Sequence, residues 1–138
     1  MNTEAALLGS LTVPGRPQHL HAARAFVART LGDHCSCADT AVLLASELVG
    51  NSLQHSDSGR PGGMVTITLI AIPGGIRAEV TDEGGATVPA VRSATVGAPH
   101  LAENGRGLQL VDSLAARWSY CRDQAGTVTW FELTESAP

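Results

Sequence analysis

The sequence predicts an α/β two-layer sandwich, and we treat residues 1–138 as one domain. β-rich runs occur in two pairs, each joined by a short turn, and a segment with helical periodicity precedes each pair. Hydrophobic residues make up 43% of the 138 residues, which is enough for one core and too little for two. Such an order predicts a sheet covered on one face by about three helices.

The first half of the domain begins with a predicted strand at residues 7–13, which ends at Pro14. Apolar residues then recur at helical spacing over residues 17–31, with Pro17 near the first turn. A second helix is predicted over residues 38–56, where a broad apolar surface continues without proline. A segment rich in Gly and Pro follows and ends it.

The second half holds the two strand pairs. Residues 64–72 and 76–80 are joined by Pro73-Gly74-Gly75, which predicts an antiparallel hairpin. A third helix is predicted from Leu108 to Leu114. The closing hairpin is predicted from two late runs, 117–121 and 127–133.

Charge and composition exclude several classes of protein. Nine Lys and Arg against thirteen Asp and Glu give a net charge of -4, so we expect no direct binding to nucleic acid. The sequence contains no signal peptide pattern and no apolar run long enough for a membrane span, so we expect a cytoplasmic protein without membrane contact. The three cysteines match no zinc spacing, and we expect them to be reduced thiols.

Three polar residues of the second predicted helix lie on one stripe. Glu47, Asn51 and His55 are spaced four apart, so each lies about 40° from the last. A solvent-exposed face would explain the same pattern. The stripe is therefore a candidate site only in combination with other features.

Two glycine-containing segments supply those features. Asp82-Glu-Gly84-Gly85 follows a buried strand, where a carboxylate can accept a hydrogen bond from an exocyclic amine such as that of adenine. A simple turn would also explain this segment. Gly105-Arg-Gly107 stands at a predicted helix start, where free backbone N–H groups favour phosphate oxygens, although an ordinary glycine-rich helix start would look the same.

The three segments in this order resemble the GHKL (Bergerat-fold) ATPase and kinase superfamily. The run Glu47-Leu-Val-Gly-Asn51-Ser-Leu-Gln-His55 resembles its N box, and Asp82-Glu-Gly84-Gly85 its first glycine box. The run Asn104-Gly105-Arg106-Gly107-Leu108-Gln-Leu-Val111 resembles its second glycine box. The loop at about residues 85–104 would then be the ATP lid. The resemblance implies a Bergerat ATP-binding fold with a mixed, mostly antiparallel sheet.

The resemblance also implies a role for each matched residue. Asn51 would hold Mg²⁺ against the nucleotide phosphates, and Asp82 would recognise adenine, with Gly84 and Gly85 beside it. Glu47 would be the general base that activates the attacking nucleophile. His55 would support the nucleotide site, or would be a structural histidine. The phosphate-binding segment would be formed by Gly105, Arg106, Gly107 and Leu108.

Two positions depart from the family pattern. The first glycine box is usually D-x-G-x-G, and the last position here is Ala86, so we expect an effect on lid hinging and on ATP affinity. Gly50 is unusual inside a helix and costs about 1 kcal/mol relative to Ala. It would permit close approach of the nucleotide, or a tight packing contact between helices.

The length of the chain indicates which branch of the superfamily it resembles. The chain has no room for the second domain that gyrases, chaperones and mismatch-repair proteins carry, or for the dimerisation helix of a sensor histidine kinase. It therefore resembles the anti-sigma factor serine/threonine kinases, which bind a sigma factor and phosphorylate a STAS-type anti-anti-sigma partner. The cofactors implied are ATP and Mg²⁺. A homodimer is a possible oligomeric state, which the sequence does not decide. The alternatives are a non-catalytic ATP-binding module that switches partner binding through its lid, or a simple ATPase.

Overall fold

A computed structural model of the chain describes residues 5–32, 35–55, 60, 62–84 and 108–135. Its centre is a five-stranded sheet in the order β1-β2-β3-β5-β4. The strands span Ala6–Pro14 (β1), Met64–Ile72 (β2), Gly75–Asp82 (β3), Arg117–Asp123 (β4) and Gly126–Thr134 (β5). Every pair of neighbouring strands is antiparallel.

Both hairpins predicted from the sequence are present, as β2–β3 and β4–β5. The closing hairpin joins the rest of the sheet through its second strand, because β5 rather than β4 pairs with β3. This arrangement makes β3 and β5 the interior strands at that side of the sheet. The carboxyl end of β3 therefore lies beside the amino end of β5, with Asp82 opposite Thr127.

The helices lie on one face of the sheet. A 3-10 turn at Pro17–His19 leads into helix α1 (Leu20–Leu31), and helix α2 spans Ala38–His55. A third helix, α3, occupies residues 108–114. The predicted α/β sandwich is confirmed, and the order of elements matches the prediction. The resemblance implied a mixed, mostly antiparallel sheet, and the four strand pairs of the described residues are all antiparallel.

The core lies between the helices and the sheet. α1 contributes Ala23, Val27 and Leu31 at the i, i+4, i+8 spacing expected of a helix face. β2 contributes alternate residues, as a strand with one buried face should. The fully buried large side chains also include Leu44 of α2, Val111 of α3 and Phe131 of β5.

The cysteines differ from the expectation. Cys35 and Cys37, in the connection between α1 and α2, form a disulfide, and only Cys121 is a free thiol. The prediction of three reduced thiols is therefore wrong for the first two. The C-x-C spacing matches no zinc site, but the turn between the two residues brings their Cα atoms to 5.1 Å, a distance that permits a disulfide.

Candidate functional site

Helix α2 presents its polar stripe at the boundary between its buried and exposed faces. Its buried side is formed by six residues, namely Ala41, Leu44, Ala45, Leu48, Val49 and Ser52. Glu47 and Asn51 are half-buried, whereas Leu43 and Gln54 of the same helix are exposed. A simple solvent-exposed face therefore does not describe the stripe. His55 closes the helix, and its side chain lies outside what the structure describes.

The carboxylate of Asp82 connects the end of β3 to α2. Its Oδ2 accepts a hydrogen bond from Ser52 Oγ at 2.7 Å, and its Oδ1 accepts one from the Gly84 backbone N–H at 2.7 Å. Ser52 is a buried residue that immediately follows Asn51 in the helix. The N box and the first glycine box are thus joined by a direct side-chain contact.

These bonds orient the Asp82 carboxylate without using all of its acceptor capacity. An ionised carboxylate has about four lone-pair positions, and the two donors occupy one on each oxygen. Both donors are neutral groups. The side chain can therefore accept a further hydrogen bond from a ligand while its position stays fixed.

The backbone turns sharply directly after Asp82. Gly84 has φ +76°, a left-handed conformation that residues with a Cβ rarely adopt. This turn brings the Gly84 N–H back onto the carboxylate two residues earlier. The requirement for glycine at this position is therefore conformational. Gly85 and Ala86 lie outside the described residues.

Two residues of β5 also belong to this end of the sheet, and the sequence analysis missed both. A Cβ at Gly126 would lie 1.9 Å from the backbone oxygen of Asp82, so only glycine lets the β4–β5 turn pack against the site. Thr127 is buried and pairs with Asp82 in the strand register. Gly126 lies between the two runs from which the closing hairpin is predicted, and the strand order that brings it here could not be read from the sequence.

The end of β3 is also fixed from the other side. Glu83 Oε2 accepts a hydrogen bond from the Met64 backbone N–H at 2.5 Å, which ties the residue after β3 to the start of β2. The carboxylates of Asp82 and Glu83 are thus held by α2 and by β2 respectively. The strand end is anchored to both layers of the sandwich.

The second glycine box is only partly within the described residues. Leu108, the first described residue of α3, is buried in the core cluster that also contains Leu48 and Val49 of α2. The start of α3 therefore packs on the same core as the helix that carries the N box. Gly105, Arg106 and Gly107 lie outside the described residues.

Comparison with known proteins agrees with this arrangement. The family model of the histidine kinase-like ATPase domain matches residues 13–133, which is most of the chain. The chain belongs to the histidine kinase-like ATPase domain family. The resemblance to the GHKL superfamily is therefore confirmed. No curated protein sequence matches the chain at a significant level.

Solved structures show the same fold. The RsbU and RsbW domains of Rv1364c from Mycobacterium tuberculosis match with a TM-score of 0.60 at 20% identity, covering 94% of this chain and 33% of that one. The histidine kinase domain of the blue-light activated histidine kinase from Erythrobacter litoralis EL346 matches with a TM-score of 0.53 at 22% identity. That match covers 89% of this chain and 62% of the kinase. The chain therefore spans about a third of the first matched protein chain and less than two thirds of the second.

No helix within the described part of this ATPase domain is long and apolar enough to cross a membrane.

Proposed function

We propose that this histidine kinase-like ATPase domain is an ATP-binding anti-sigma factor and serine/threonine protein kinase. It would act in the cytoplasm, bind a sigma factor, and phosphorylate a STAS-type anti-anti-sigma partner. The observation that carries the proposal is the Ser52–Asp82 hydrogen bond, which joins the N-box helix to the strand end of the first glycine box.

Asp82 is assigned to adenine recognition. Its carboxylate is oriented by Ser52 and Gly84 and retains acceptor capacity for the exocyclic amine. A guanine base presents a carbonyl oxygen at the corresponding position, which a carboxylate would repel. The geometry therefore supports selectivity for adenine nucleotides.

Asn51 is assigned to the metal and the phosphates. Its side-chain oxygen is the kind of hard ligand that Mg²⁺ accepts, and it lies next to Ser52 on α2. Mg²⁺ when bound would neutralise phosphate charge. The backbone of Gly105, Arg106 and Gly107, which precede α3 in the sequence, and of Leu108 in α3 is assigned to phosphate binding, with Gly85 and His55 in supporting positions.

Glu47 is assigned as the general base. It lies one turn before Asn51 on the same half-buried stripe, so its carboxylate and the proposed metal ligand share one side of α2. In phosphotransfer it would accept the proton of the attacking serine or threonine hydroxyl. In hydrolysis it would accept the proton of a water molecule instead.

The partner assignment is supported by the resemblance to anti-sigma factor kinases. The likeness to the Mycobacterium tuberculosis protein that contains RsbU and RsbW domains, at 20% identity, supports the fold on which this assignment depends.

A phosphorylation assay tests the proposal. The protein is incubated with labelled ATP and Mg²⁺, with and without a candidate STAS-type partner. We expect label on a serine or threonine of the partner. Release of free phosphate with no labelled partner would indicate the simple ATPase, and ATP binding with neither product would indicate the non-catalytic switching module.

The variant Glu47→Gln separates catalysis from binding. It should bind ATP and Mg²⁺ as the wild type does, while phosphotransfer falls by roughly 10²- to 10⁴-fold, the usual contribution of a general base. Gln54→Ala is the matched control, because Gln54 is an exposed residue of the same helix. Wild-type phosphotransfer in Glu47→Gln would remove Glu47 from the mechanism.

A further inference from the structure

The disulfide between Cys35 and Cys37 lies where two helices meet. The Cys35 backbone N–H donates to the Leu31 carbonyl oxygen at 3.1 Å, so Cys35 continues the last turn of α1. The Cys37 carbonyl oxygen accepts the Ala41 N–H at 2.9 Å, which makes Cys37 the N-cap residue of α2. The bond therefore joins the end of one helix to the beginning of the next.

Stabilisation of the fold does not explain this bond. A disulfide stabilises mainly by restricting the unfolded chain, and its effect grows with the length of the loop that it closes. Cys35 and Cys37 are two residues apart, so the loop is about as short as a disulfide can close. Both residues also contact the hydrophobic core, Cys35 as a member and Cys37 at its edge, so their side chains stay packed as thiols.

The two sulfur atoms lie in different environments. Cys35 is buried, with 8% of its surface exposed, whereas Cys37 is only partly buried. As the N-cap residue of α2, Cys37 is next to unpaired backbone N–H groups at the positive end of the helix dipole. A helix start is a position where a leaving or attacking thiolate is generally favoured. Cys37 is thus the more exposed residue of the pair and lies at a helix start, whereas Cys35 is a buried partner bonded to it.

We propose that Cys35 and Cys37 form a reversible redox site that exchanges with dithiols and disulfides. In reduction, a thiolate of an external dithiol attacks Cys37 Sγ, and the Cys35–Cys37 bond breaks. Cys35 Sγ leaves with the electron pair and takes up a proton. The second thiolate of the reductant then attacks the reductant's other sulfur, which is bonded to Cys37 in the mixed disulfide, and releases the Cys37 thiolate.

The exchange balances. Two electrons pass from the dithiol to the protein, and the reductant leaves as a disulfide. The dithiol releases two protons when its thiolates form; Cys35 takes up one, and the other stays in solvent until the Cys37 thiolate is protonated. Oxidation runs through the reverse steps, with the Cys37 thiolate attacking an external disulfide and the Cys35 thiol resolving the mixed disulfide. This site is independent of the proposed kinase function, because none of the residues assigned to ATP takes part.

Thiol labelling of the full chain tests the site. The variant Cys121→Ser removes the exposed free thiol on β4 and leaves the pair as the only cysteines. Protein treated with oxidised glutathione should take up no alkylating label. After dithiothreitol treatment in native buffer, Cys37 should be labelled at least ~10-fold faster than Cys35, because Cys35 is buried. Circular dichroism should show the same fold in both states.

The single-cysteine variants complete the test. Cys35→Ser, in the Cys121→Ser background, should hold a glutathione adduct on Cys37 that the intact pair resolves. Two labels on Cys121→Ser protein after oxidised glutathione would overturn the proposal, since no disulfide would have formed. A disulfide that dithiothreitol reduces only in denaturant, or a lasting glutathione adduct when Cys35 is present, would overturn it equally.

Discussion

The two ends of the β3–β5 strand pair each hold a carboxylate, and the two carboxylates accept hydrogen bonds from different kinds of donor. At one end, Asp82 accepts hydrogen bonds from two neutral groups, Ser52 Oγ and the Gly84 N–H. Toward the other end, Glu132 of β5 accepts from two guanidinium groups. Arg77 Nη1 lies 3.1 Å from its Oε2, and Arg117 Nη2 and Nε lie 2.6 and 2.9 Å from its Oε1.

The difference shows what each carboxylate can do. The charge of Glu132 is compensated within the chain, and an aromatic ring completes the cluster, since Arg77 Cζ lies 3.9 Å from the centre of the Trp130 ring. The donors to Asp82 fix its orientation but carry no compensating charge. A carboxylate of the first kind supports the sheet, and one of the second kind is suited to a ligand.

Replacing Asp82 should have the largest effect on ligand binding. In Asp82→Asn the amide can present a donor to the adenine amine where the carboxylate accepted, so ATP affinity should fall by roughly 10- to 100-fold, from the ~1.5–3 kcal/mol of a charged hydrogen bond. The free energy of unfolding should change little, because Ser52 Oγ can still form a hydrogen bond with the amide that replaces the carboxylate. Calorimetry with ATP measures the effect.

Asp39→Asn is the control for this variant, because it removes an exposed carboxylate from the first turn of α2. It should bind ATP like the wild type. If Asp82→Asn also binds like the wild type, Asp82 does not recognise adenine, and the contrast between the two carboxylates has no functional meaning.

Replacing Glu132 should affect the stability of the fold rather than ATP binding, the opposite of what we expect for Asp82. Glu132→Gln leaves the half-buried Arg77 and the exposed Arg117 without their shared anion, and we expect the free energy of unfolding to fall by about 1–3 kcal/mol. ATP affinity should be unchanged. Denaturant titration measures the first quantity and calorimetry the second.

The matched control is Glu79→Gln. Glu79 is more exposed, and in the described part of the chain its ion pair is with Arg77, at 2.9 Å, so its loss should cost less than about 1 kcal/mol. Equal destabilisation by the two variants would mean that the stability of the cluster depends on its total charge rather than on the contacts of Glu132.

The pKa of Glu132 makes the same cluster sensitive to pH. Burial by itself would raise that pKa, but hydrogen bonds from Arg117 and Arg77 and the charge of both groups place it below its usual value of 4.5. A lowered pKa in the folded state stabilises the fold above the unfolded pKa, and the stabilisation is lost as pH falls through the folded pKa. Thermal unfolding from pH 7 downward should show a loss below about pH 4.5 that is smaller in Glu132→Gln.

The sequence predicted the elements better than their arrangement. The strand Met64–Ile72 and the helix that begins at Ala38 were predicted at or near their observed bounds, because alternation and helical spacing are local signals. The pairing of β3 with β5 is not local, so the packing of Gly126 against Asp82 could not be predicted. Ser52 was present in the N box, but its bond to Asp82 depends on how the helix packs on the sheet.

Gly50 should show the smallest effect, and it tests how close the nucleotide comes to α2. Among the residues that the structure describes, a Cβ at Gly50 would meet nothing within 4 Å, which contradicts a tight packing contact with any of the described helices. Since the position is open, Gly50→Ala should stabilise the helix by up to about 1 kcal/mol, the usual difference between Gly and Ala in a helix interior. Thermal unfolding measures this gain, and ATP titration of the same variant decides the remaining explanation. Lower ATP affinity despite the added stability would show that the nucleotide approaches Gly50. Unchanged affinity would place the bound nucleotide away from this side of α2, toward Asn51 and Asp82, and would leave the glycine without a functional role.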